Sequence, residues 1–213
     1  GKFKGSFKNL QAHDLGKDVI INILKQSNVR PQFIDEVIMG QVLTGGVGQN
    51  SARQAAMGAG IPKEKTGYLI NQVCGSGLRA IVAGYQSILL NDAKIIIAGG
   101  QESMTNSSEE EMLKDGLIDA YNNYHMGVTA ENVAEMWNIT RNQQDEFAVS
   151  SQHKAQNAIK NNKFRDELID NNFTDEHPRS DVTLESLSNL KTVFKKNGTV
   201  TAGNSSGIND GAA

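Results

Sequence analysis

One cysteine, Cys74, in 213 residues excludes an intramolecular disulfide and leaves a single thiol to explain. Prolines number three against 21 glycines. Disorder usually enriches both, so this imbalance points to constrained turns in an ordered fold. No stretch approaches the ~18 consecutive apolar residues of a membrane span, and Gly1-Lys2-Phe3-Lys4 carries no signal-peptide apolar run. Charge of neither sign dominates: the net charge is −3 and the pI about 5.8. That balance argues against a nucleic-acid binder, and a polyanionic ligand would have to be met by local donors. His13, His125, His153 and His177 lack metal-ligand spacing, and there is no Gly-x-Ser-x-Gly elbow. Gly46-Val47-Gly48 lacks the third glycine of a dinucleotide fingerprint. Without a secretion signal, the Asn-x-Ser/Thr triplets at Asn138, Asn172, Asn197 and Asn204 are read as chance.

What is present is a 38% hydrophobic, 21% charged composition, that of one substantial globular domain or a domain with a subdomain. Residues 14–28 predict a helix with Asp14 as N-cap and Leu15, Val19, Ile20, Ile23 and Leu24 on one face. Strands are predicted over 36–43, 68–73 and 94–98, the last carrying the apolar run of a sheet covered on both faces. Helices are predicted over 51–59 and 76–90. Strands alternating with helices imply an α/β layered domain. After Gly99-Gly100 the chain turns polar. Thr140 and Gln143 form a capping box opening a helix with Phe147, Ala148, Ser151, Ala155, Ala158 and Ile159 on one side, and a short helix is expected over 183–189. The sheet is expected to resume at Gly198–Ala202, with another helix starting as the chain stops. The Glu109-Glu110-Glu111 run reads as solvated surface.

The segment Asn71-Gln72-Val73-Cys74-Gly75-Ser76-Gly77-Leu78 is the most informative. A strand ends, the cysteine follows at once, two glycines allow a tight turn, and an amphipathic helix begins. The sulfur therefore sits near a helix N-terminus, where unpaired N–H groups and the macrodipole favour an anion and could cradle an oxyanion. A small buried hydrophobe at a strand–helix junction fits the same local pattern.

NQVCGSGLRAIVAGYQSI resembles the nucleophile segment of the thiolases. Four further segments resemble that family in order. GQVLTGGVGQNSARQAAMGAGIP is similar to a stretch of subunit contacts, and Ala98-Gly99-Gly100-Gln101-Glu102-Ser103-Met104 to an AGG-x-ESM segment. Tyr124-His125-Met126-Gly127 with Thr129-Ala130-Glu131-Asn132 is similar to the covering loop of the acetoacetyl-CoA enzymes, and GTVTAGNSSGINDGAA to the return to the N-terminal sheet. The resemblance implies that Cys74 accepts an acetyl group and that His125 and Met126 line the pantetheine and acyl end of the pocket. It implies that Ala202, Ser206 and Gly207 contact pantetheine, and that Arg179 and Ser186 lie near the CoA nucleotide. The residue types alone would pass as a structural histidine, a packing methionine, a surface arginine and a polar turn.

The implied fold is the α/β thiolase fold, layered αβαβα in the intact enzyme. Residues 1–102 and 197–213 would belong to its N-terminal half, and 103–196 to an inserted, mostly helical CoA-covering loop domain. The implied activity is that of an acetyl-CoA C-acetyltransferase, joining two acetyl-CoA into acetoacetyl-CoA and CoA or reversing that by thiolysis. The implied partners are those CoA thioesters and one or three copies of the chain, in the cytoplasm, without metal, redox cofactor, nucleic acid or membrane. The sequence departs from the family in lacking a Gly-His-Pro histidine, a second cysteine in Cys-x-Gly, and an Asn-Glu-Ala-Phe segment. His177-Pro178 follows Glu176 and is not accepted as the activating histidine. The Ser103–Ser108 and Asn171–Thr174 stretches look compressed, and an initial Arg-Thr-Pro strand is missing. As written, the chain is expected to be incomplete and inactive. A ketoacyl synthase and a non-catalytic CoA-binding or assembly module remain as alternatives.

Overall fold

The structure, a computed structural model, describes residues 1–169 and 174–213. The expectations placed on Asn171, Asn172 and Phe173 lie outside the described residues. The chain forms two compact units, Gly1–Gly116 with Ile208–Ala213, and Leu117–Gly207.

The first unit is built on a four-stranded sheet ordered β2-β1-β3-β4. β1 (Glu36–Gly40) lies parallel to β2 (Thr66–Ile70) and to β3 (Ile96–Ser103), and β4 (Asp210–Ala212) runs antiparallel to β3. Alternation along β1 sends Val37 and Met39 to one face and Ile38 and Gly40 to the other. Val37 and Met39 pack with Ile20 and Leu24 of α1 (Ala12–Ser27) and with Ala52, Ala55 and Ala56 of α2 (Ser51–Gly58). Each large side chain in this cluster contributes ~1.5–3 kcal/mol by leaving water. α3 (Ser76–Leu89) covers the opposite face, where a methyl on its Gly84 would touch Ile96, Ala98 and Ile38. The outer side of α3 exposes Leu78, Ile81, Tyr85 and Leu89.

Several expectations are corrected here. Asp14 is not the N-cap of α1: Gln11 is, and the Asp14 carboxylate accepts the Gln11 N–H at 3.1 Å as the far side of a capping box. Ile23 is exposed, lying outside the buried stripe of Ala12, Leu15, Gly16, Ile20 and Leu24. β2 starts at Thr66 and ends at Ile70, so three residues separate it from Cys74. β3 does not stop at Ala98 but runs through both glycines to Ser103. The final segment is strand, not helix: β4 pairs Asp210 with Ser103 and Ala212 with Gln101, while the buried Asp210 carboxylate accepts the Thr105 N–H and hydroxyl at 2.9 and 2.6 Å. Glu109–Glu111 is a helical turn, α4, capped by Ser108.

The second unit contains α5 (Met126–Met136), α6 (Arg141–Lys160) and α7 (Leu184–Ser188). The Thr140–Gln143 capping box opens α6. Its expected apolar side is largely open, with Phe147 76% exposed and Asp145 the buried residue of the helix. Gly198–Ala202 adds no strand to the sheet. It folds back on 192–193 through a single antiparallel bridge, Thr192 to Thr201, and a Val193 N–H to Val200 carbonyl bond at 3.1 Å.

Candidate active site

In the first unit, Cys74 is exposed one residue before Gly75, the N-cap of α3. The preceding Val73 holds φ at +49°, a left-handed conformation rare for a β-branched side chain and costing on the order of 1–3 kcal/mol. Besides the backbone bonds from the Gly75 N–H to the Gln72 carbonyl and from the Ser76 N–H to the Val73 carbonyl, three bonds to side chains hold this turn. The Ser76 hydroxyl donates to the Val73 carbonyl at 2.5 Å and accepts the Gln72 N–H at 2.9 Å, and the Asn71 side chain accepts the Val73 N–H at 2.9 Å. Ser76 is itself buried. The thiol is thus carried outward on a bent segment whose backbone is bonded on both sides of it.

Glycines seat the start of α3 on the sheet. A side chain at Gly40 would run into the backbone of Ser76 and Gly77, and one at Gly77 would reach to within 3.8 Å of Gly100. Backbone meets backbone here, which places the N-terminal turn of α3 over the end of β1 and the middle of β3. Neither Gly40 nor the Val73 conformation was singled out from the sequence. The clue to the first was the run of glycines at 40, 75, 77, 99 and 100; the second left no composition signal.

The other seven expected residues belong to the second unit. His125 is the N-cap of α5, its Nδ1 accepting the Gly127 N–H at 2.9 Å, which leaves Nε2 as the nitrogen able to donate outward. Its ring stacks on Phe194 with centroids 4.7 Å apart and planes 19° apart. Met126 opens the helix and is 37% exposed. Ala202, Ser206 and Gly207 are exposed on the loop that follows the Thr192–Thr201 bridge. The hairpin that carries Phe194 therefore links the His125 end of α5 to that loop. Arg179 and Ser186 are farther along the surface. Arg179 is exposed and pairs with Asp181 at 3.6 Å, and its N–H donates to the Gln152 side chain. The Ser186 hydroxyl is engaged in the capping box of α7, donating to the Thr183 carbonyl at 2.8 Å and accepting the Thr183 N–H.

Two acids not singled out from the sequence as site residues bind this region, Glu131 at Thr199 and Val200 and Asp145 at Asn204. Glu131 on α5 and Asp145 on α6 are both buried. Burial works against the charge on Glu131. The N–H groups of Val200 and Thr199, the Thr199 hydroxyl and nearby Lys195 more than offset it, so its pKa falls below the ordinary carboxylate value. In the first unit burial prevails instead at Glu102, raising its pKa although its carboxylate accepts the Val42 and Leu43 N–H groups. Among the described residues, no group of three or more His, Cys, Asp or Glu is placed to hold a metal ion, and no helix is long and apolar enough to cross a membrane.

Comparison with known proteins places this geometry. The family model described as "Thiolase, N-terminal domain" matches residues 1–112 and 107–213. The chain is 48% identical to the acetyl-CoA acetyltransferase of Rhizobium meliloti and 47% identical to that of Paracoccus denitrificans, in each case over the whole chain and 61% of the relative. Both alignments span 239 positions, more than this chain has residues, so the relatives carry extra residues between matched segments. The crystal structure of the Bacillus anthracis acetyl-CoA acetyltransferase superposes with a TM-score of 0.92 at 36% identity, covering 99% of this chain and 60% of that one. The chain thus spans about three-fifths of the length of these relatives. A parallel-dominated sheet, a cysteine turned outward at the head of the covering helix and a family match from first residue to last lead to one conclusion: the chain belongs to the thiolase family.

Proposed function

We propose that this chain carries the acyl-accepting half of an acetyl-CoA C-acetyltransferase, with Cys74 as nucleophile. The observation supporting this most directly is the bent Gln72–Ser76 turn, which holds an exposed thiol at the head of α3 on a left-handed Val73. The Cys74 thiolate attacks the thioester carbonyl of one acetyl-CoA. The carbonyl carbon forms a bond to Sγ, its bond to the CoA sulfur breaks, and CoA leaves as thiol after taking up a proton. The Cys74 N–H is a donor for the oxyanion, of a kind worth ~3 kcal/mol in acyl-transfer sites. The enolate of a second acetyl-CoA then attacks the acetyl-cysteine, giving acetoacetyl-CoA and the free thiolate; thiolysis is the reverse. The resemblance puts the bases for these proton transfers in segments that this sequence does not contain.

In this reading His125, Met126, Ala202, Ser206 and Gly207 form the pantetheine surface of the second unit, and Arg179 and Ser186 lie toward the nucleotide. Residues 103–196 act as the CoA-covering insertion. The scheme calls on no metal or redox cofactor. A cytoplasmic homodimer or homotetramer is the form expected from the resemblance.

The test is the intact mass of the full-length protein after incubation with acetyl-CoA, beside Cys74→Ala. Gain of one acetyl group, absent from the variant, supports the reading. Saturable CoA binding without any acetylation would replace it with a binding or assembly role.

A further inference from the structure

Within the second unit, the segment Thr199–Asn204 has almost no regular structure, yet its first two backbone N–H groups are taken by a side chain of α5 and its Asn204 amide by a side chain of α6. Glu131 accepts the Thr199 and Val200 N–H groups, each at 2.8 Å, and the Thr199 hydroxyl at 2.9 Å. Asp145, paired with Arg141 Nε at 2.7 Å, accepts the Asn204 amide at 2.9 Å. Asn204 in turn accepts the Thr201 N–H at 2.8 Å and donates to the Thr199 carbonyl at 3.1 Å. Gly198 leaves the space that the Glu131 carboxylate occupies, since a methyl there would collide with it. Glu131 lies five residues after Met126 on the same 11-residue helix. One element therefore carries His125 and Met126 at its head and holds, at its middle, the Thr199–Val200 segment that leads into the loop of Ala202 and Ser206.

We infer that Glu131 is a positioning residue, and Asp145 a second one acting through Asn204. Together they fix the spacing between the His125–Met126 end of α5 and the Ala202–Gly207 loop, and so the width of the slot that receives the pantetheine arm. This rests on the function proposed above. A fixed slot binds at lower entropic cost than one assembled around each ligand. The acids contribute to acyl-CoA recognition without touching it.

The test uses the full-length protein, Glu131→Gln, and the milder Thr199→Val, which removes the hydroxyl that donates to Glu131 and accepts the Gln144 amide. The second variant keeps both backbone bonds to Glu131 and serves if the first does not fold. KM for acetyl-CoA and the CoA dissociation constant are expected to rise about tenfold in Glu131→Gln and about threefold in Thr199→Val, with kcat within about twofold, one charged hydrogen bond being of this size. Amide exchange is expected to quicken at Thr199 and Val200 while α5 and α6 stay protected. Faster exchange at those two amides with unchanged KM and CoA affinity overturns the inference. So does a loss of protection throughout α5 and α6 with kcat falling alongside, the mark of a purely structural role. If the unsubstituted protein binds no CoA, the function proposed above fails and this inference falls with it, an outcome distinct from equal binding by protein and variants.

Discussion

The Ser76 hydroxyl and the Val73 carbonyl are 2.5 Å apart, joined across the residue that carries the thiol. The same hydroxyl accepts the Gln72 N–H, so one oxygen ties both ends of the turn.

Ser76→Ala should therefore cost ~1–3 kcal/mol of stability, because it takes the partner from the Gln72 N–H, while the Val73 carbonyl keeps the Ser76 N–H. Acetylation of Cys74 by acetyl-CoA should slow several-fold, while alkylation by a small reagent such as iodoacetamide continues, since the thiol is exposed either way. Thermal melts and timed mass spectra measure the two effects. Unchanged acetylation in a destabilised variant would separate the turn from reactivity.

Gly127→Ala should lose ~1–3 kcal/mol although alanine is the better helix former, because the added methyl collides with the Phe194 ring. Combined with Phe194→Ala, the glycine substitution should cost less than ~1 kcal/mol, since the collision is then gone. A double-mutant cycle in urea reads this coupling. Additive costs would mean that the Phe194 ring does not set the packing at the head of α5.

Asp35 gives an acid-limb prediction. The Lys94 and Ile95 N–H groups and then Lys65 hold its carboxylate below its ordinary value of 3.8. A depressed folded-state pKa stabilises at pH above the unfolded value and is lost as pH falls through the lower, folded one. Asp35→Asn should thus lower the melting temperature at neutral pH and match the parent below the folded-state pKa. Glu102, with its raised pKa, has the opposite sign: its stabilising share is greatest in acid and is lost as pH rises through that raised value. Parallel melting curves for parent and Asp35→Asn across the acid range would reject the assignment.

What could be read in the sequence follows from where the information resides. The Ile95–Ala98 run and the stripe Leu15, Ile20, Leu24 declare themselves because burial selects side chains locally. The rest of β3, Gly99–Ser103, and β4 carry no such mark. From Gln101 to Ser103 the pairing is with residues more than a hundred positions away, while Gly100 lies against the Gly77 backbone and Gly99 against that of Ala213. Cys74 was legible through its strand–turn–helix setting. The left-handed Val73 was not, since nothing in a valine announces a positive φ. The burial of Glu131 and Asp145 was not legible because an acid on a polar helix looks like surface charge until its partners, 68 and 59 residues away, fold against it.

The glycine seat under α3 has a consequence for how this protein can change. At Gly40, Gly77 and Gly100 the helix rests on the strands through main-chain atoms, which have no alternative rotamers and no size to trade. Substitutions among Ile20, Leu24 and Ala55 on the other side of the sheet can enlarge or shrink that core without altering this spacing. The position of the sulfur is insulated from drift in the hydrophobic interior. The sheet's packing and the turn that carries Cys74 can then accumulate mutations separately, with Gly40, where an added side chain meets the backbone of Ser76 and Gly77, as the position that tolerates no change.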